Sequence, residues 1–308
     1  MTGNSIIVGV DGSAAAQSAL RWAADEACIR QRTLLVVHAP DFAESRLVAS
    51  AGEPAIRTLD DLGERLLSQH AVAASTRQPG VLVTTLFSHS RAVDVLIDLS
   101  LDAGLLVVGT HGRGFESMLG SVSHRVAARA HCPVAVVPDA RALWGRYQSP
   151  RIVVGVSSAP AGRLALEFAF GEAQHRNATV VAVRAWNRID AAMLAGLDPT
   201  VLAHFERQAY DHLEHELAPL RQRHPQVTVE AGLAAGEPAD LLLHAARTAQ
   251  LVVVGAHHSD DRWSTRLGPV PTAILHRAPC PVVVVGQQSH PTSAAVSTVT
   301  QPASTVLT

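Results

Sequence analysis

Residues 105–122 read LLVVGTHGRGFESMLGSV, and this stretch decides the fold. The apolar run 105–108 predicts a buried strand that breaks at Gly109, after which a polar loop leads to a helix beginning at Gly120-Ser121. Glycines let the backbone approach a ligand, and the first N–H groups of a helix are unpaired donors at the positive end of its dipole. The stretch therefore predicts either an anion site or a tight strand-to-helix turn, and it lacks the Gly-Lys-Ser/Thr ending of a Walker A loop.

The first strand of the chain favours the ligand site. Residues 6–10 are apolar or glycine, and Asp11-Gly12-Ser13 follows them. An acidic residue at the carboxyl end of a buried strand lies where open α/β sheets bind ligands. Asp11 could instead cap the next helix. The two loops together favour ligand contact.

The chain contains two copies of one unit. Gly9 and Gly155 are 146 positions apart, and after the loop the offset becomes 148, as between Gly120 and Gly268. The offset of 146 also relates Leu20 to Leu166, Glu26 to Glu172, Ala39 to Ala185, and Gly109 to Gly255. A period of this length indicates a duplicated domain rather than a solenoid repeat.

Each copy alternates strands and helices. In the first copy we predict strands near 6–10, 33–39, 81–87, 105–109 and 133–138, and helices near 14–31, 53–76, 90–103 and 120–130. Near-continuous Val/Ile/Leu runs are typical of parallel strands covered by helices on both faces. The pattern predicts an α/β fold with two tandem, doubly wound, open parallel five-stranded sheets.

The repeat sets the domain boundaries. We predict domain 1 at residues 1–140, a linker at 141–150 and domain 2 at 151–286. Residues 287–308 are rich in Ser, Thr, Val and Pro and have no repeat partner, so we predict a disordered tail.

Composition excludes several classes of protein. Apolar residues make up 47% and charged residues 17%, which is typical of packed domains, and the net charge of −2 gives no footprint for nucleic acid or anionic membrane. All 25 basic residues are arginine, which excludes lysine-dependent chemistry. Because the sequence has no signal-peptide pattern and no membrane-length apolar run, we expect a cytoplasmic protein.

Catalytic and metal-binding patterns are weak. Cys132 and Cys280 each precede a Pro-Val strand, so we interpret them as buried packing residues. His212 and His215 lie three apart on a predicted helix, without a recognised zinc spacing. No Ser-His-Asp arrangement or glutamate pair indicates catalysis. We therefore expect no metal site and no enzyme.

Several motifs resemble the universal stress protein family, in order through the first 140 residues and again in the second half. They are Val8-Gly9-Val10-Asp11-Gly12-Ser13, His38-Ala39, Val108-Gly109-Thr110-His111-Gly112, Gly120-Ser121-Val122-Ser123 and His131-Cys132-Pro133-Val134. The resemblance implies an adenine-nucleotide alpha-hydrolase-like fold with strand order 3-2-1-4-5. Strands one and four then lie side by side at the topological switch point.

The resemblance also implies an adenine-nucleotide site in the first half, with ATP, AMP or cyclic AMP as the bound ligand. The implied nucleotide-binding residues are Gly9, Asp11, Ala39, Gly109, Gly112, Gly120, Ser121 and Val122. The family aspartate that Asp11 matches contacts adenine or ribose. Residues 113–119 number seven, where the family's ATP-binding members have nine. We therefore expect adenosine recognition with little enclosure of a triphosphate.

The second copy departs further from the family pattern, although residues 259–267 keep the spacing of nine. Ser157 replaces the aspartate, His258 the second glycine and Pro269 the serine. A histidine side chain blocks close backbone approach, and proline removes an N–H donor. We interpret this half as a structural partner.

The leading hypothesis is a stress-response regulator that binds an adenine nucleotide. The resemblance implies an intramolecular pseudo-dimer through the final strands, residues 134–137 and 282–285, which allows but does not require a homodimer. One alternative is a nucleotide-free interaction scaffold, which the short loop favours. The other is a slow ATPase, for which the sequence offers no general base and no magnesium carboxylates. The protein partner is not identified.

Overall fold

The computed structural model describes residues 5–40, 52–110, 120–139, 150–186, 199–256 and 267–286. The predicted tail and, apart from Pro150, the predicted linker lie outside these residues. No helix among the described residues is long and apolar enough to cross a membrane.

The first half alternates strands and helices as predicted. Its strands are β1 (Ser5–Gly9), β2 (Leu34–His38), β3 (Val83–Phe87), β4 (Ala103–Gly109) and β5 (Val134–Val137). Its helices are α1 (Ala14–Ile29), α2 (Glu53–Arg77), α3 (Ala92–Leu99) and α4 (Ser121–Arg129). β1, β2 and β4 are mostly buried Val, Ile and Leu, which is typical of parallel strands with helices on both faces.

The second half repeats this order. Its strands are β6 (Arg151–Gly155), β7 (Thr179–Trp186), β8 (Val229–Ala235), β9 (Leu251–Gly255) and β10 (Val282–Val285). Its helices are α5 (Pro160–Arg176), α6 (Pro199–Arg223), α7 (Pro238–Ala246) and α8 (Pro269–Arg277). Leu213, Leu217 and Leu220 of α6 are buried, so one face of this long helix packs on the core.

The strands form one ten-stranded sheet in the order β3-β2-β1-β4-β5-β10-β9-β6-β7-β8. Each half has five parallel strands in the order 3-2-1-4-5, which confirms the predicted topology. The halves join where β5 and β10 pair antiparallel, with Ala135 opposite Val283. The predicted contact through the final strands is confirmed. It takes the form of a shared sheet because each edge strand has backbone donors and acceptors that need partners.

Helices cover both faces of this sheet. The apolar side chains of α1, α2, α5 and α6 pack on one face, in a core that runs through both halves. Those of α3, α4, α7 and α8 pack on the other. Right-handed parallel crossovers place alternate helices on opposite faces when the strand order reverses, and this reversal opens a cleft at the carboxyl ends of β1 and β4.

Candidate functional site

The predicted site residues of the first half converge at one edge of the sheet. β1 and β4 are parallel neighbours, with Val8 opposite Val107, and both strands end in glycine. The loop that contains Asp11 therefore lies beside the end of β4, and β2 brings Ala39 to the same edge from the other side of β1. Gly112 lies outside the described residues.

Asp11 shapes the turn between β1 and α1. Its Oδ1 accepts a hydrogen bond from the Ser13 N–H at 2.9 Å, and Gly12 between them has φ 81°, which favours glycine. The Ser13 Oγ in turn accepts from the Ala16 N–H at 3.1 Å. The helix cap is thus Ser13, and the alternative that Asp11 caps α1 is wrong. Within the described residues, the second carboxylate oxygen of Asp11 makes no hydrogen bond.

His38 supports the same loop from β2. Its Nδ1–H donates to the Val10 carbonyl oxygen at 2.8 Å, immediately before Asp11. The His38 ring lies 5.8 Å from the Phe87 ring, and the His89 ring meets Phe87 edge-on at 5.1 Å. A row of three rings thus lies beside Ala39 at the ends of β2 and β3.

Two hydrogen bonds close the base of the glycine loop, residues 111–119, which itself lies outside the described residues. The Gly120 N–H donates to the Thr110 carbonyl oxygen at 2.7 Å. The Ser123 hydroxyl donates to the Gly109 carbonyl oxygen at 2.6 Å. Sequence reasoning gave no role to Thr110 or Ser123. The local sequence signal for this contact is Ser123 itself, because a serine two positions after Ser121 is near enough to reach the end of β4.

The start of α4 carries the donors that an anion needs. Gly120 is the N-cap residue and supplies no side-chain cap. Within the described residues, the N–H groups of Ser121, Val122 and Ser123 donate no hydrogen bond. Unpaired donors at the positive end of a helix favour phosphate or carboxylate. Because the Gly120 N–H and the Ser123 hydroxyl bond to the end of β4, these donors lie at the strand end that neighbours β1 and the Asp11 turn.

Gly9 and Gly109 have packing roles that both halves share. A Cβ on Gly109 would lie 2.8 Å from the Ala15 carbonyl carbon, and a Cβ on Gly9 would lie 3.1 Å from Leu96 Cδ1. The second half repeats these approaches at Gly255 with Ala161, 2.7 Å, and at Gly155 with Leu242, 3.2 Å. Gly109 and Gly255, which face backbone atoms, are therefore required for strand-to-helix packing, whereas a side chain at Gly9 or Gly155 would need a small shift of the facing leucine. None of the four distinguishes the two clefts.

The cleft of the second half lacks the polar groups of the first. Ser157 takes the place of Asp11, and its Oγ lies so close to α5 that a Cβ on Gly162 would come within 2.4 Å of it. Ala159, the N-cap residue of α5, supplies no side-chain cap. Prolines 269 and 271 occupy two of the first three positions of α8, which leaves the Val270 N–H as the one donor among those three.

The buried cysteines are packing residues, as predicted. Cys132 and Cys280 precede β5 and β10 and are 4% and 0% exposed. Burial raises the pKa of each thiol to about 12, so both thiols stay neutral at ordinary pH. A neutral buried thiol is unreactive.

Comparison with known proteins covers both halves. The model of the Universal stress protein family matches residues 4–138 and 149–286. The universal stress protein Rv2623 of Mycobacterium tuberculosis (strain ATCC 25618 / H37Rv) is 34% identical over 293 residues, which cover 92% of this chain and 97% of that protein. A universal stress protein from Archaeoglobus fulgidus DSM 4304, solved by crystallography, aligns with a TM-score of 0.70 at 17% identity, over 92% of this chain and 97% of its own. A universal stress protein in complex with cAMP aligns with 45% of this chain and 98% of its own, at 22% identity and a TM-score of 0.32.

Proposed function

The chain belongs to the universal stress protein family, and we propose that its first half binds one adenine nucleotide: ATP, AMP or cyclic AMP. The nucleotide acts as a regulatory ligand rather than as a substrate. Regulation of this kind requires that the ligand bind one conformational state more tightly than another.

A contrast inside the molecule carries the proposal. In the first half, one carboxylate oxygen of Asp11 and three N–H groups at the start of α4 have no hydrogen-bond partner among the described residues, and they lie at the ends of neighbouring strands. Asp11 is suited to a ribose hydroxyl or an adenine amino group, and the helix start is suited to phosphate. In the second half, Ser157 replaces the carboxylate, and two of the three donors are replaced by prolines. The same fold thus offers one polar cleft and one depleted cleft.

Titration calorimetry with ATP, AMP and cyclic AMP tests this proposal. We expect one nucleotide per chain and similar affinities for the three ligands, because the loop of the first half is two residues shorter than the equivalent loop of the second. A hydrogen bond to a charged group contributes about 1.5–3 kcal/mol, so Asp11→Ala should weaken binding about ten- to a hundredfold. The matched variant Ser157→Ala should bind like the wild type.

The outcomes separate the alternatives. Two nucleotides per chain, or equal losses from the two variants, would contradict the assignment to the first half. No binding of any adenine nucleotide by folded wild-type protein would favour a nucleotide-free scaffold. Steady release of ADP or phosphate from ATP would favour an ATPase.

A further inference from the structure

The joint between the halves contains four buried charged side chains, Glu26, Arg30, Glu172 and Arg176, here called the junction cluster. The glutamate side chains are 0% and 1% exposed, and each arginine side chain is 13% exposed. Arg30 bonds to Glu26 on its own helix and to Glu172 of the other half. Arg176 likewise bonds to Glu172 and crosses to Glu26. Each charge is therefore satisfied by both halves.

The cluster obeys an internal two-fold symmetry. Ala135 and Val283 occupy equivalent positions in the repeat and pair directly, so the symmetry axis passes between them. Across this axis each arginine also covers an aromatic ring of the other half: Arg30 lies 5.0 Å from the centre of the Phe168 ring, and Arg176 lies 5.5 Å from the centre of the Trp22 ring. Cation–π contacts of this kind add to the attraction between the halves.

Each half therefore presents the same triplet of side chains: an aromatic residue, a glutamate four positions later and an arginine four positions after that. The triplets are Trp22, Glu26 and Arg30, of which Arg30 is the C-cap residue of α1, and Phe168, Glu172 and Arg176 in α5. Residues four apart lie on one face of a helix, so the triplet is a continuous stripe along that face. When two such stripes cross about a two-fold axis, the glutamate of each stripe meets the arginine of the other. Two identical stripes are therefore complementary.

The paired strands cannot supply the specificity of this joint. β5 reads VAVV and β10 reads VVVV, and they meet through backbone hydrogen bonds that any edge strand could make. Buried ion pairs add little to stability over apolar residues, but a mismatched or unpaired buried charge is strongly unfavourable. Discrimination between partners is therefore the property that buried charges supply best.

We propose that the junction cluster is a pairing code that selects which stress-protein domains join. The stripe accepts a domain that carries the same aromatic, glutamate and arginine spacing, and it rejects a domain with the charge order reversed. Either half thus fits a second copy of itself as well as it fits the other half. The covalent linkage favours the intramolecular pair by raising its effective concentration.

Charge inversion in the full-length chain tests the code. Glu26→Arg with Arg30→Glu inverts the first half alone, so like charges meet across the joint within one chain. Between two such chains the charges still match, because the first half of one chain can pair with the first half of the other, and the second half with the second half. We expect the single-half variant to associate between chains, with a mass about twice that of the wild type that rises with concentration. Adding Glu172→Arg and Arg176→Glu restores matched charges within the chain, and the mass should return to the wild-type value.

Light scattering after size exclusion measures the molecular mass, and urea unfolding measures the stability. Recovery of wild-type mass and of most of the lost urea midpoint in the four-residue inversion supports the code, even if a single-half variant fails to fold. A four-residue inversion no more stable than the single-half variant would overturn it. So would a folded single-half variant of wild-type mass at every concentration. Inverting the second half alone is the matched control and should reproduce the behaviour of the first-half inversion.

Discussion

The two clefts differ, whereas the frames that hold them are alike. Gly9 and Gly155 pack against equivalent leucines, and Gly109 and Gly255 pack against equivalent alanines. The polar groups diverge at the same depth of the sheet, where Asp11 accepts a hydrogen bond from the Ser13 N–H in one half and Ser157 lies against α5 in the other. Packing constraints act on both copies because both cores must fill, whereas the function proposed above needs only one ligand site.

Removal of the junction arginine of either half should destabilise the protein equally. Arg30→Met and Arg176→Met each remove one of the two arginine partners from both buried glutamates, and breaking a buried pair typically costs about 3–5 kcal/mol. We expect similar losses in the free energy of unfolding, measured in urea. Arg57→Met is the control, because Arg57 and Glu53 are 76% and 74% exposed and such pairs contribute less than about 1 kcal/mol. Unequal losses from the two junction variants would contradict the symmetry.

The clefts, in contrast, should respond differently when their residues are exchanged. Placing the residues of the second cleft into the first, as Asp11→Ser, Ser13→Ala, Ser121→Pro and Ser123→Pro, removes a carboxylate and two N–H donors. The lost hydrogen bonds together correspond to about 4 kcal/mol, so we expect nucleotide affinity to fall about a thousandfold by calorimetry.

The reciprocal graft is its control. Ser157→Asp, Ala159→Ser, Pro269→Ser and Pro271→Ser alter the second cleft alone, so the affinity of the first cleft should remain at the wild-type value. Circular dichroism must show both grafts folded. Wild-type binding by the first graft would place the nucleotide elsewhere in the chain.

The fold follows from the sequence because its signals are local and repeated. Buried Val/Ile/Leu runs mark the strands, and the offset of 146 relates equivalent residues such as Gly9 and Gly155. The contact between Ser123 and Gly109 could not be assigned in this way, because it depends on how the chain returns after 14 residues. The sequence leaves the role of Asp11 open for the same reason, since a helix cap and a turn differ only in their three-dimensional geometry.

The junction cluster is the feature that sequence reasoning missed most completely. Glu26 and Arg30 are four residues apart on one helix, a pattern that usually indicates a solvated surface pair. Their burial depends on Arg176, which is 150 positions from Glu26. The sequence does contain a signal for the junction cluster: a stripe of charged residues on one helix face, with an aromatic residue one turn earlier. This stripe recurs at the repeat offset.

Stability should fall as pH rises through neutrality. Burial, followed by the neighbouring Glu172 carboxylate, raises the pKa of Glu26 to about 7, above its ordinary value of 4.5. A raised pKa means that folding favours the protonated acid, so the contribution of Glu26 is complete below about pH 4.5 and is lost through pH 7. The shift corresponds to at most about 3 kcal/mol. Urea unfolding between pH 5 and 8 measures it.

Glu26→Gln is the control for this pH dependence, because glutamine keeps the shape of the protonated acid and cannot ionise. The difference between wild type and variant isolates Glu26 from His175, which lies 4.0 Å from Glu172, and from His224, whose pKa burial lowers. Although burial opposes the ionisation of Glu172, Arg30 and Arg176 lower its pKa; because Glu172 shares both arginines with Glu26, the two carboxyl groups titrate as a pair, and the pair takes up one proton as the pH falls through 7. If the free energies of unfolding of the wild type and of Glu26→Gln changed equally from pH 5 to 8, the assignment of the pH dependence to Glu26 would be contradicted.

The smallest expected difference lies where α1 and α5 end. Gln31 and Asn177 occupy equivalent exposed positions in the left-handed region, with φ of 52° and 49°. Asparagine populates this region several-fold more readily than glutamine, because its short polar side chain bonds to the local backbone. Gln31→Asn should therefore raise the free energy of unfolding by about 0.5–1 kcal/mol, and Asn177→Gln should lower it by a similar amount. Replicate thermal and urea unfolding resolve shifts of this size. Because neither side chain is buried, equal signs for the two substitutions would mean that backbone conformation does not govern these helix ends.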